Sequence, residues 1–117
     1  MGISYQGIGE WCATLKCGAG VSEDTVVKVG ADGAAARCSA EDAFCGVVRS
    51  VARDGKACSV QLGGIVRLRY SGDTAPAAGY SKLTADGTGG VSVNAAKGRE
   101  YLILNVDSME KTVDIKL

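Results

Sequence analysis

Five cysteines and thirteen carboxylates are the side chains of this 117-residue sequence that invite chemistry, and their surroundings decide whether they perform it. There is no histidine, which removes the usual general base at neutral pH and the partner of a Cys-His or Ser-His nucleophile. Cys12, Cys17, Cys38, Cys45 and Cys58 form an odd set with no CxxC pair, unlike a secreted disulfide framework or a zinc site. Reduced thiols that pack as small hydrophobes are the expectation. Asp32, Asp54 and Asp86 each precede a glycine, where an Asx turn accounts for the carboxylate without any catalytic role. Gly7-Ile8-Gly9 opens like a dinucleotide fingerprint, but position 12 is Cys12 and no strand, glycine loop and helix surround it. Walker and EF-hand loops do not occur, and the acidic residues are too scattered for a calcium cage. The expectation is a protein that is not an enzyme and takes no cofactor and no metal.

Charge narrows the partners. Thirteen basic and thirteen acidic residues give a formal net charge of zero, which does not favour nucleic acid. Arg49, Arg53, Lys56, Arg67 and Arg69 would form a basic stripe if their strands were neighbours, yet the aromatics needed to stack bases are scarce. No run approaches the roughly 20 apolar residues that cross a bilayer, and no basic region with an apolar stretch opens the chain. Neither nucleic acid nor membrane is expected as a partner.

The length fits one domain, but its apolar share is made of small residues. The chain has 16 Ala, 13 Val and 17 Gly against one Phe and one Trp. Leu, Ile, Val and Phe together make up 26 of 117 residues, so the core is thin and burial against other copies would help offset chain entropy. A homo-oligomer is expected.

The elements that carry these residues repeat. Lys28-Val29-Gly30-Ala31-Asp32-Gly33 returns 54 positions later as Lys82-Leu83-Thr84-Ala85-Asp86-Gly87. With one insertion, residues 55–62 lie over residues 110–117, and residues 47–51 over residues 102–106. Three matches in one order predict two related β units of about 54 residues. Residues 47–52 and 57–62 flank Arg53-Asp54-Gly55-Lys56, a hairpin signal. Cys58, Val60 and Leu62 alternate with Ala57, Ser59 and Gln61. Val113, Ile115 and Leu117 alternate with Thr112, Asp114 and Lys116, the first set of each expected inward and the second outward. Residues 65–70 read as another half-buried strand, residues 71–79 as an exposed linker, and residues 34–44 as loop or weak strand. The fold class is all-β, a compact small barrel or sandwich. Residues 1–24 form an N-terminal arm or first strand, and residues 25–117 a β domain whose repeats, 25–62 and 79–117, are joined by 63–78.

Two places stand out as protein contacts. Residues 101–104 are apolar on both faces and need cover on each, from a second sheet or from another subunit, which makes Tyr101 and Ile103 candidates. Ile3, Tyr5, Ile8 and Trp11 concentrate apolar and aromatic side chains ahead of the repeats, as a docking arm would. A first strand packing its own core through Trp11, Ala13 and Leu15 explains the same residues.

Several phrases of the sequence carry a resemblance: Thr25-Val26-Val27-Lys28-Val29, Phe44-Cys45-Gly46-Val47-Val48, Val60-Gln61-Leu62-Gly63-Gly64-Ile65-Val66, and Ala78-Gly79-Tyr80-Ser81-Lys82-Leu83 before Ala85-Asp86-Gly87. In this pattern, over residues 24–117, the chain resembles the phage head decoration proteins, also called capsid cement or capsid-stabilising proteins. The resemblance implies a β-rich structural protein of the virion that binds the major capsid protein non-covalently on the outer capsid surface. It also implies a homo-oligomer, with a trimer favoured, assembled in the host cytoplasm. Five cysteines exceed what that family leads one to expect. The other reading of the same residues is a small β adaptor or tail-associated phage assembly module.

Overall fold

The computed structural model describes residues 8–117, which form ten β-strands in two five-stranded antiparallel sheets. The first sheet holds β1 (Trp11–Lys16), β2 (Val26–Val29), β3 (Ala35–Arg37), β4 (Gly46–Val51) and β5 (Ala57–Gly63), in the order β1-β5-β4-β2-β3. The second holds β6 (Ile65–Arg69), β7 (Gly79–Ala85), β8 (Val91–Val93), β9 (Arg99–Asp107) and β10 (Thr112–Lys116), in the order β6-β10-β9-β7-β8. Each strand of the first sheet has its counterpart five strands later, at the same place in the order. The chain is therefore all-β and built from two similar units, as the repeat predicts. An isolated parallel bridge between Cys17 and Ala35 joins the two ends of the first sheet, and one between Tyr70 and Val91 does the same in the second.

The structural repeat is larger than the sequence match. It takes in β1 and β6, which the sequence reading left in the N-terminal segment and in the connection. Both strands alternate, but they share few residue types, so only the pairing partners reveal their equivalence. Local turn chemistry does repeat. Asp54 Oδ1 accepts the Lys56 N–H at 3.0 Å in the β4–β5 hairpin, and Asp107 Oδ1 accepts those of Met109 and Glu110 in the β9–β10 hairpin. Gly55 supplies the positive φ of the first turn, two residues before β5, and Lys111, with a φ of 55°, supplies that of the second, one residue before β10. Residues 34–44 give only the three-residue β3 followed by loop. Pro76, expected in an exposed linker, is buried.

Two apolar clusters hold the molecule together. Val27, Ala35, Val48, Cys58 and Val60 fill the inside of the first unit. The larger cluster fills the second unit with Leu68, Leu83, Ile103 and Ile115 and draws Val26, Phe44 and Val47 across from the first. Adjacent Val26 and Val27 point into different clusters, so β2 is covered on both faces. This corrects two sequence expectations. Gln61 points away from the inside of its own unit, yet it is buried because that face meets the second unit. Its amide nitrogen donates to the carbonyls of Gly63 at 3.0 Å and Ile65 at 3.4 Å. Asp114 is buried as well and accepts the Arg67 Nε–H at 2.9 Å.

The units are joined by backbone and by side chains. Val26 N–H donates to Gly89 O at 3.0 Å, Ala85 N–H to Asp42 O at 2.9 Å and Glu41 N–H to Ala85 O at 2.9 Å. Phe44, from the loop before β4, stacks on Tyr101 of β9 with ring centroids 4.9 Å apart. The Tyr101 hydroxyl donates to the Phe44 carbonyl at 3.0 Å. Gly64 turns the chain between the units at a φ of 85°, and a Cβ there would stand 2.6 Å from Gly9 O and 2.7 Å from Ile8 O.

Candidate protein interface

The sequence-derived contact residues separate into three groups. Ile3 and Tyr5 lie outside the described residues. Ile8 and Trp11 are exposed, at 55% and 63%. Tyr101 and Ile103, at 7% and 2%, are interior residues of the larger cluster and offer nothing to a partner. Of the two kinds of cover open to residues 101–104, the chain's own fold supplies one, on the side these two residues occupy.

Trp11 opens β1, which pairs with β5 on one edge. Its Cβ and Cε3 lie 3.5 and 3.6 Å from where a Cβ on Gly63 would be, so the glycine opposite leaves room for the indole to lie against the strand. Glu10, just before it, sits 3.6 Å from Arg49 and accepts a bond from the Cys12 thiol at 3.3 Å. Arg49 also lies 3.8 Å from Asp24. Charges around the Trp11 end of β1 are therefore partly matched within the chain, while the apolar side chains of Ile8 and Trp11 stay open to solvent.

The other side of residues 101–104 carries a second surface, which sequence reasoning did not locate. Leu102 and Leu104 face outward there and are half-buried. Pairing register places Tyr80 beside Leu102 from β7, Lys116 beside it from β10, and Ile65 beyond Lys116 on β6. Tyr80 is 71% exposed. The apolar-on-both-faces pattern of residues 101–104 is the signal for this surface, but it marks the strand without naming the neighbours that pairing brings to it. Of the five basic residues considered as a stripe, Arg49 belongs to β4 in one sheet and Arg67 and Arg69 to β6 in the other, and acidic residues stand among them: Asp24 lies 3.8 Å from Arg49 and lines a hollow with Arg67 and Arg69.

A half-buried carboxylate with four hydrogen bonds belongs to a turn. Asp86 Oδ1 accepts the backbone N–H of Thr88 at 2.7 Å and of Gly90 at 3.1 Å and the Thr88 hydroxyl at 2.8 Å, while Oδ2 accepts the Ser71 hydroxyl at 2.8 Å. Burial opposes its ionisation, but these four bonds outweigh it and hold the carboxyl below the usual range. The hollow beside it, about 420 Å³ and lined also by Arg69, Tyr70 and Lys111, meets a carboxylate already satisfied by its own loop. Burial, with the Asp42 charge second, pushes the Cys38 thiol up to about 11, and burial also raises Cys58 and Cys45. Thiols held up in this way stay protonated at neutral pH and are poor nucleophiles.

No protein-family model matches the chain, and no curated protein is detectably similar to it.

Proposed function

We propose that this chain is a phage structural protein that decorates and stabilises the outer surface of the capsid by non-covalent binding to the major capsid protein. The observation that carries the reading is the exposed Trp11, held on a paired strand with Ile8 beside it. A large aromatic kept in water on a rigid β scaffold is the kind of anchor that protein interfaces bury. A decoration protein needs such anchors and a stiff body rather than a convergent set of catalytic groups. The duplicated sheets, sharing one apolar cluster, supply that stiffness. The resemblance in residues 24–117 points to the same role and implies copies grouped around a symmetry axis, three in number.

Co-sedimentation with expanded, undecorated heads of the phage that encodes the chain tests this. The wild-type chain should pellet with the heads and saturate them, and Trp11→Ala should need about tenfold more protein to reach half-saturation. A chain that stays in the supernatant refutes the reading. Pelleting with isolated tails instead would establish the adaptor or tail-associated role.

A further inference from the structure

Two of the five thiols meet where the first sheet closes on itself. Cys17 follows β1, donates its backbone N–H to Lys56 O at 3.0 Å and bridges to Ala35 of β3. Cys58 of β5 pairs with Leu15, so Cys17, two residues further along, is its diagonal neighbour on the same side of the sheet. Cys58 is buried in the first unit's cluster, and the half-buried Cys17 packs against that cluster. After burial, the charge and the hydrogen bonding of Cys17 both raise the Cys58 thiol. The second unit repeats the place. Tyr70 donates its N–H to Lys111 O at 3.0 Å, and Val113, which pairs with Leu68, lies with Tyr70 in the larger cluster. An aromatic ring and a valine fill there what two thiols fill in the first unit.

We propose that Cys17 and Cys58 are an oxidation site, and that an intrachain disulfide between them fastens the end of β1 to β5. Diagonal neighbours stand a little further apart than a disulfide spans, and Cys17 lies at a strand end before Gly18, Ala19 and Gly20, where a small shift closes the gap. Access sets the order of the steps. Cys17, as thiolate, attacks a sulfur of a small-molecule disulfide such as glutathione disulfide, whose S–S bond breaks to release one glutathione thiolate. Cys58, its proton given to water, then attacks the Cys17 sulfur and expels the second glutathione. The chain gives up two electrons and two protons, and the oxidant becomes two thiols. The second step needs no reagent at Cys58, and a partner held beside it offsets the reluctance of a buried thiol to ionise. The link closes a loop that takes in β2, β3 and β4, so it stabilises the unit with the smaller side chains. It is internal to one chain and independent of what the chain binds.

The test is a peptide map of the folded wild type after treatment with millimolar glutathione disulfide at alkaline pH, with the remaining thiols blocked before unfolding and digestion. Trypsin, cutting after Lys and Arg, places Cys12 in residues 1–16, Cys17 in 17–28, Cys38 and Cys45 together in 38–49, and Cys58 in 57–67. Residues 17–28 should be joined to 57–67 in most chains. Cys58→Ser should instead carry glutathione on 17–28, and Cys17→Ser should leave 57–67 free. The oxidised wild type should unfold about 5 °C or more above the reduced one, a rise that Cys58→Ser should lack. Peptides 17–28 and 57–67 that stay separate in the wild type, whether reduced or carrying glutathione, overturn the proposal, as does a joined pair with an unchanged unfolding midpoint.

Discussion

Asp86 illustrates how a carboxylate in a hollow can be wholly structural. It receives two backbone N–H groups and two hydroxyls, so Asp86→Ala should lower the stability of the protein by about 2 kcal/mol, read from urea unfolding. The pH dependence follows from the same bonds. The folded carboxyl lies below its ordinary value of 3.8, so the unfolded chain takes up the proton first. The stabilisation is full above that value and is lost as pH falls through the folded one. Acid unfolding should therefore cost the wild type more than Asp86→Ala below about pH 4. The thiols give an independent check on packing. Cys12 is exposed while Cys38 and Cys58 are buried. Burial, with Glu10 second, also raises the Cys12 thiol, so iodoacetamide at alkaline pH should label the accessible Cys12 slowly in the folded protein and reach Cys38 and Cys58 only when it unfolds, which intact-mass measurement resolves.

Strands whose side chains alternate were the most readable elements, and they mark where reading stopped. β5 and β10 display the expected inward sets, with Cys58 and Val60 in one and Val113 and Ile115 in the other. Alternation assigns a side chain to a face but says nothing of what covers the opposite face. Gln61 and Asp114 were therefore expected in water, and both are buried. For Tyr101 and Ile103, cover by a second sheet or by another subunit was open for the same reason, since a strand apolar on both faces does not say which face its own fold covers, and the chain's own cluster buries both. Trp11 was ambiguous between arm and core, and only pairing with Gly63 puts its side chain outside. The join between the units was invisible, because Phe44 and Tyr101 are 57 residues apart. Phe44→Ala should cost about 3–5 kcal/mol through the cavity it leaves. Tyr101→Phe should cost about 1–2 kcal/mol, because it strands a buried carbonyl. Thermal unfolding of both variants checks this, with the larger loss expected for Phe44→Ala.

At the scale of the whole molecule, one strand order used twice yields a body with two similar halves and different surroundings. The second half owns the larger side chains, Leu68, Leu83, Ile103 and Ile115, and the first half is filled by Val, Ala and Cys. Asymmetry of this kind fits a protein whose halves meet different neighbours, one presenting Ile8 and Trp11 and the other the row from Tyr80 to Ile65. The repeat in residues 28–33 and 82–87 revealed the duplication, while the equivalence of β1 and β6 needed the pairing. The most direct measurement is an electron cryomicroscopy reconstruction of phage heads, the particles that the proposed role assigns to this chain. A decorating role predicts density on the outer shell surface that accepts both five-stranded sheets, with Trp11 turned toward the capsid protein. Bare head surfaces, or the same density found on the tail, would contradict it.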